Sequence, residues 1–340
     1  MEKIIIQATH QDRLRCFFTR FFKIESLKFK NCAVISCIID GNQISFSMLY
    51  EGELSSDEIG KDVKKYWTKS KFDETFTNKK YTITIPFDTS IKEILLVRHG
   101  QGYHNKASTG EKAINILSDT YKDASLTVIG VNQAVLAANK IMDYLKTKTN
   151  IELIFTASHL LRTQQTIRTI QYIISNSNQR IIYILPCSHE LVYTYDGICD
   201  GSWRQKFDLG TENKPNCTNS SNNCDKISWK DEKNANNTIK INDKEYKISD
   251  IMKDAGVNWT FYVQFYKNNK QCRDTDIIQQ ILLNISQLSK SNTTSNTTSN
   301  TTFQTATKPI VSTGGYKEKY LKYKMKYLQL KSNFIYKIQK

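Results

Sequence analysis

The sequence contains no run of 18 apolar residues, which is about the shortest run that a transmembrane helix requires. Its first seven residues become polar too soon for a secretory signal peptide. These two absences predict an intracellular protein that has no membrane partner.

Paired metal-binding cysteines are also absent. None of the eight cysteines belongs to a Cys-x-x-Cys pair, and the sequence shows no other cluster of metal-ligand residues. We therefore predict no metal site and no other cofactor. Cys217 and Cys224 flank a polar loop and could form a disulfide, but in a chain without a signal peptide we expect them to be free thiols.

Acidic residues are outnumbered by basic residues, since the formal net charge of the 340-residue chain is +15. Such a balance is typical of proteins that bind polyanions, and it also suits a site for phosphorylated metabolites. Residues 316–340 contain eight lysines and one glutamate, so nearly half of the excess lies there. This concentration argues against nucleic acid as the partner of the rest of the chain.

The hydrophobic pattern changes at residue 91. Residues 1–90 are predicted to form a small β-rich α+β module, with a hairpin that turns at Asp40-Gly41. Strands, among them residues 151–157, alternate with amphipathic helices over residues 91–290, which predicts an α/β domain with a mainly parallel sheet. Thr127 is predicted to be the N-cap of one of these helices. Residues 200–270 are polar and are predicted to be an insertion or lid.

The last part of the chain has low complexity. Residues 291–315 contain an Asn/Thr-rich repeat that cannot bury a core, so we predict a flexible linker. In residues 316–340, apolar and aromatic side chains recur at alternating spacings of four and three. This spacing predicts a basic amphipathic helix with a coiled-coil-like stripe, which could mediate self-association or contact with a polyanion.

The residues that suggest chemistry follow the first strand of the α/β region. Residues 94–97 form an apolar run that predicts a buried strand, and Arg-His-Gly-Gln-Gly-Tyr-His-Asn follows at residues 98–105. The carboxyl end of such a strand is where ligands bind in a doubly wound sheet. An arginine, a histidine and an asparagine at that place suit a phosphate, because they combine a planar fork of donors, a nucleophile and a neutral donor.

This motif resembles the nucleophile motif of the histidine phosphatase superfamily, above all its phosphoglycerate-mutase-like branch. The resemblance implies a three-layer α/β sandwich and the hydrolysis of a phosphomonoester through a phosphohistidine at His99, without metal. Arg98 and Asn105 would hold phosphate oxygens. Arg162, in the Ser-x-x-x-Arg-Thr sequence, would supply a second guanidinium. The substrate would be a phosphorylated small molecule or a phosphopeptide.

Other pocket residues follow from the same resemblance. Glu190 comes after the third predicted strand and would protonate the leaving oxygen before it activates water. Gly100, Gln101 and His104 would line the substrate side of the pocket. The ring nitrogen of His99 that does not attack phosphorus is expected to donate a hydrogen bond to the backbone near Gly100.

The family also has a second pocket histidine, on a late strand that ends in Val-x-Ser-His-Gly-Gly or a similar sequence. No histidine follows His189 in this chain, and the nearest match at residues 309–315 has Thr313 in that place. These residues are either the last strand of the domain, which then extends to 315, or linker. A catalytically impaired pseudoenzyme that binds a phosphorylated ligand is therefore one alternative, and a virion or scaffold protein is another. His10 is expected to be structural or incidental, and His159 to be a helix-entry residue.

The carboxyl-terminal sequence Tyr-Leu-Lys-Tyr-Lys-x-Lys-Tyr-Leu-x-Leu-Lys resembles the tails of many mimivirus-like giant-virus proteins. If the resemblance reflects origin, the protein acts in the host cytoplasm or in the virion.

Overall fold

The structure, a computed structural model, describes residues 1–24, 27–54, 63–106, 124–175, 181–188, 192–193, 199–200, 237–241, 243–252, 256–267 and 276–293. All of them belong to one compact unit, Met1–Thr293. None of the helices in these ranges has the length and hydropathy that crossing a membrane requires.

These residues form twelve strands and eight α-helices. The strands are β1 (Glu2–Thr9), β2 (Val34–Asp40), β3 (Gln43–Tyr50), β4 (Tyr81–Thr82), β5 (Ile91–Arg98), β6 (Ile151–Ala157), β7 (Ile182–Ile184), β8 (Val192–Tyr193), β9 (Cys199–Asp200), β10 (Thr238–Ile241), β11 (Lys244–Lys247) and β12 (Val257–Asn258). The helices are α1 (Gln11–Phe22), α2 (Lys69–Phe76), α3 (Tyr103–Lys106), α4 (Val128–Leu145), α5 (Leu161–Ser175), α6 (Ile248–Met252), α7 (Thr260–Lys267) and α8 (Ile277–Thr293), and a 3-10 turn spans Val63–Lys65.

Eight of the strands form one mixed sheet in the order β12-β7-β6-β1-β5-β2-β3-β4. The first five strands in this order are parallel, and the last three are joined to them and to one another by antiparallel pairing. The prediction of an α/β fold with a mainly parallel sheet is confirmed.

The first strand of the chain lies in the middle of this sheet. β1 pairs with β5 on one side and with β6 on the other, both in parallel. Ile4, Ile5 and Ile6 are at most 2% exposed, because helices cover both faces of a central parallel strand. The prediction of a separate module at residues 1–90 is therefore wrong, since the core of the α/β unit includes this strand.

The hairpin predicted around Asp40-Gly41 is present as β2 and β3. Gly41 has a φ of +58°, a left-handed conformation that glycine adopts without strain. β2 also pairs with β5, so the hairpin extends the main sheet rather than forming a sheet of its own.

Successive residues of β1 and β5 belong to two different hydrophobic cores. One core contains Ile4, Ile6 and Leu95 together with residues of α4 and α5. The other contains Ile5 and Ile94 together with residues of α1, α2 and α8. The two cores arise because successive side chains of a strand point to opposite faces of the sheet. Since helices cover both faces, the loops at the carboxyl edge of the sheet are where a site can form.

Two predicted boundaries differ from the structure. The polar region 200–270 contains the separate hairpin β10–β11, as expected of an insertion, but it also supplies β12 as the edge strand of the main sheet. α8 extends to Thr293, so the predicted linker begins inside a helix. Residues 294–340, including Thr313 and the basic tail, lie outside the described part of the chain.

Cys217 and Cys224, which were expected to be free thiols, lie outside the described part of the chain. Cys32 and Cys37 are free and completely buried, and burial raises the pKa of both thiols. Cys16 and Cys187 are disulfide-bonded. Their side chains are at most 3% exposed, so the sulfur atoms lie inside the packed core rather than at its surface.

Candidate phosphate site

Three neighbouring strand ends bring chemistry-bearing residues to one edge of the sheet. β1 lies between β5 and β6, and Thr9 pairs with Arg98 at the carboxyl end. His10, His99 and Ser158 are the residues that directly follow these three strands. Because the strands are parallel, residues distant in the sequence meet at the edge where ligands bind in open α/β sheets.

His99 is 1% exposed, and both of its ring nitrogens have partners. Its Nδ1 lies 2.6 Å from the carbonyl oxygen of Gly100, which can only accept, so Nδ1 carries the proton. Nε2 therefore has a lone pair, to which Nε of Arg162 donates at 3.4 Å. The predicted hydrogen bond to Gly100 and the proximity of His99 to Arg162 are both confirmed. His99 is thus a neutral imidazole whose unprotonated nitrogen is directed at a guanidinium.

His10 is the residue whose role the sequence did not suggest. Its ring centroid lies 5.0 Å from that of His99, with an angle of 59° between the rings. The side chain of His10 is completely buried, and its Nε2 lies 2.8 Å from Oγ of Ser158. A second histidine ring thus lies beside His99. The buried hydrogen bond to Ser158 is compatible with the structural role expected of His10, and a role in the chemistry of the site is a prediction.

A recognisable signal for His10 was present in the sequence. Residues 4–10 read Ile-Ile-Ile-Gln-Ala-Thr-His, an apolar run that ends in a histidine, and residues 94–99 have the same pattern. The pairing of β1 with β5 was not deducible from either run by itself, because both patterns fit any buried parallel strand.

The loop after β5 is pressed against the first turn of α4. A Cβ atom on Gly100 would lie 2.3 Å from the carbonyl oxygen of Gly130, and a Cβ atom on Gly130 would lie 2.2 Å from that of Gln101. Thr127 caps α4 by accepting a hydrogen bond from the Gly130 backbone, as predicted for a helix N-cap. The amide oxygen of Gln133 accepts from the backbone N–H of Gln101 at 2.8 Å. These contacts fix the backbone that positions His99.

α5 holds the same loop from the other direction. Oγ1 of Thr166 accepts from the backbone N–H of Gly100 at 3.1 Å and donates to the carbonyl oxygen of Arg162. The amide oxygen of Gln165 accepts from the backbone N–H of Leu126 at 2.7 Å. The motif that contains Arg162 therefore sets the position of the His99 loop as well as supplying a guanidinium.

Three side chains that were predicted to contact the ligand form hydrogen bonds within the protein. Nη1 of Arg98 donates to the carbonyl oxygen of Phe29, and Oδ1 of Asn105 accepts from a backbone N–H of the same loop at 3.0 Å. Gln101 is completely buried, and its Oε1 accepts from the N-cap hydroxyl of α4 at 2.8 Å. Gln101 therefore fixes the loop, which corrects its assignment to the substrate side. Contacts of Arg98 and Asn105 with phosphate stay predictions.

Glu190 and the side chain of His104 lie outside the described part of the chain. The nearest described residue before Glu190 is Ser188, whose carbonyl oxygen accepts a hydrogen bond from Oγ1 of Thr9 at 3.0 Å. The segment that leads to Glu190 is thus attached to the end of β1, directly before His10.

His159 begins the turn into α5, as predicted for a helix-entry residue. Its ring centroid lies 5.2 Å from that of Tyr262 on α7. Burial, together with the positive charge of Arg162, lowers the pKa of His159 to about 3. His159 is therefore neutral at physiological pH and adds no second positive charge beside Arg162.

A scan against protein-family models, a search of curated proteins and a search of solved structures each found no match for this chain. The positions of His10, His99 and Arg162 are therefore the basis for assigning a function.

Proposed function

We propose that this chain is a phosphoglycerate-mutase-like histidine phosphatase that hydrolyses a phosphomonoester through a phosphohistidine at His99. The observation that carries the proposal is the neutral tautomer of His99, with Nε2 directed at Arg162. A neutral imidazole nitrogen with a lone pair is a nucleophile, and an adjacent guanidinium can hold the phosphate that it attacks.

The reaction has two steps. Nε2 of His99 forms a bond to phosphorus while the bond from phosphorus to the ester oxygen breaks, and Glu190 gives its proton to the leaving oxygen. Water then attacks phosphorus while the bond from phosphorus to Nε2 of His99 breaks, Glu190 takes up a proton from this water, and inorganic phosphate leaves. Arg162 and His10 supply hydrogen-bond donors to the charge on the phosphoryl oxygens in both steps.

The order of the strands along the chain also receives an interpretation in this proposal. In the family that the motif resembles, the second histidine follows a late strand. Here β1 lies beside β5 and ends next to His10. We interpret β1 and α1 as the counterpart of that late strand and its following segment, moved to the amino end of a three-layer sandwich.

The alternatives are affected differently by His10. The pseudoenzyme alternative was based on the loss of the second histidine, and a ring 5.0 Å from that of His99 removes that reason. A virion or scaffold role rests on the tail at residues 316–340, and a location in the virion or host cytoplasm is compatible with the phosphatase. The substrate class stays a phosphorylated small molecule or phosphopeptide.

The test is rapid-quench detection of a ³²P-labelled, acid-labile phosphohistidine after mixing the protein with a labelled aryl phosphate. The label is expected in the wild-type protein and should be absent from His99→Asn, whose amide cannot form the bond. Hydrolysis of the aryl phosphate without any label on the protein would contradict the proposal. A label that persists in His99→Asn would assign the nucleophile to another residue.

A further inference from the structure

A short chain of hydrogen bonds connects His10 to the start of α5. Nε2 of His10 lies 2.8 Å from Oγ of Ser158, which lies 2.8 Å from Oγ1 of Thr163. Oγ1 of Thr163 lies 2.6 Å from the carbonyl oxygen of Leu160 and 3.1 Å from that of Ser158. Ser158, Thr163 and His10 are all completely buried, so water does not compete for these bonds.

The direction of each hydrogen bond follows from the carbonyl end of this chain. Two oxygens 2.6 Å apart need a hydrogen between them, and the carbonyl of Leu160 has none, so Thr163 donates to it. The hydroxyl of Thr163 has only one hydrogen and must accept from Ser158. Ser158 in turn has used its only hydrogen and must accept from Nε2 of His10.

A second donor completes the set of hydrogen bonds that the hydroxyl of Ser158 can form. The backbone N–H of Leu160 also points to Oγ of Ser158, at 3.3 Å. Oγ of Ser158 therefore accepts two hydrogen bonds and donates one, which uses its full capacity. An unprotonated Nε2 on His10 would place two acceptors against each other in a buried site, a costly arrangement.

We propose that Ser158, held by Thr163, is a positioning residue that keeps His10 in the Nε2–H form and directs the proton exchange of this ring to Nδ1. The two site histidines then have opposite tautomers: the lone pair of His99 is on Nε2, and that of His10 is on Nδ1. With Nδ1 protonated, His10 donates to a phosphoryl oxygen while its Nε2–H bond to Ser158 is unchanged. This role of His10 in binding a phosphoryl oxygen rests on the proposed phosphatase function, whereas its tautomer does not depend on that proposal.

The tautomer is measured by two-bond ¹H–¹⁵N NMR on protein with ¹⁵N-labelled histidine. The chain has five histidines, so the spectrum of His10→Asn identifies the signals of His10 by their absence. The expected wild-type pattern is that of Nε2–H for His10 and of Nδ1–H for His99. A wild-type pattern of Nδ1–H for His10 would overturn the proposal.

We call the hydrogen-bonded pair Ser158 and Thr163 the relay. Variants of these two residues distinguish an effect on the tautomer of His10 from an effect on packing. Ser158→Ala removes the acceptor, and Thr163→Val removes the group that orients it, so both should shift His10 towards a mixture of tautomers. Thr163→Ser keeps the hydroxyl and should keep the wild-type pattern. If Ser158→Ala does not fold, as judged by its melting curve, Thr163→Val against Thr163→Ser decides the matter. An unchanged tautomer in a folded Ser158→Ala or Thr163→Val would refute the relay.

The effect of Ser158 on catalysis is measured separately from the tautomer of His10. The hydrogen-bond partners of metal-ligating histidines typically contribute about 10- to 100-fold to activity. We expect a loss in the same range for kcat of Ser158→Ala with an aryl phosphate. KM should change less than kcat, because the ground-state contacts of Arg162 remain. A shifted tautomer with unchanged kcat would overturn the catalytic part of the proposal. An absence of turnover in the wild-type protein would instead count against the phosphatase function, and the NMR result would still decide the relay.

Discussion

Replacing His10 by alanine tests whether the first strand of the chain completes the active site. The structure places the His10 ring 5.0 Å from that of the proposed nucleophile, where a phosphoryl group on His99 would lie within its reach. The substitution removes one preorganised donor from a buried site. Such donors typically contribute about 3 to 4 kcal/mol to the barrier, so kcat should fall by roughly 10²- to 10³-fold.

The same substitution has a cost in stability. It removes the buried hydrogen bond from Nε2 to Oγ of Ser158, and a bond of this kind typically contributes about 0.5 to 1.5 kcal/mol to stability. Kinetics must therefore be compared at a temperature at which the melting curve of His10→Ala shows the folded protein. His10→Asn, which keeps a side-chain donor, should lose less stability than His10→Ala.

The assay is hydrolysis of a simple aryl phosphate, with two control variants. Thr313→Ala should leave kcat unchanged, because His10 takes the place that the late-strand alignment gave to Thr313. His159→Gln alters another buried histidine at the same sheet edge, and its kcat should fall much less than that of His10→Ala. If kcat of folded His10→Ala stays within about threefold of wild type, a difference of roughly 0.7 kcal/mol, the pocket role of His10 is refuted.

Three further predictions concern the scaffold. Gly130→Ala should destabilise the protein by about 1 to 3 kcal/mol and weaken binding of inorganic phosphate, because its Cβ would meet a backbone oxygen at 2.2 Å; Asn132→Ala, on the exposed side of the same turn, is the control in thermal melts and calorimetry. Because burial lowers the pKa of His159 to about 3, the unfolded chain binds a proton first as pH falls below about 6.5, so this residue should cost roughly 2 kcal/mol of stability at about pH 5. Urea titrations above about pH 6.5 and at about pH 5 should show that the free energy of unfolding depends less on pH in His159→Gln than in the wild-type protein. An equal dependence would show that His159 is not the cause. Deleting residues 294–340 should leave the melting temperature unchanged, since a polar repeat precedes the tail, and a large decrease would show that these residues belong to the core.

Local sequence patterns predicted several elements well. Residues 151–157 were predicted as a strand and form β6 with these bounds, and the hairpin at Asp40-Gly41 is present. Thr127 was predicted as an N-cap and caps α4. Each of these features depends on contacts between residues a few positions apart, which a single stretch of sequence records directly.

The site was predicted only where its residues share a motif. Residues 98–105 and the motif around Arg162 indicated a phosphate site, and the structure brings His99 and Arg162 to 3.4 Å. The exact orientation of Gln101 was not readable, because a buried glutamine and a ligand-binding glutamine look alike in sequence. Burial against the N-cap of α4 decided between them.

The sequence by itself determined the alternation of strands and helices, the glycines of the His99 loop and the motif at residues 98–105. Only the tertiary structure decided that β1 lies between β5 and β6 and that His10 therefore faces His99. The physical reason is that the position of β1 depends on pairing with segments about 90 and about 150 residues away and on two cores shared by many helices. An apolar run, in contrast, records only that it will be buried.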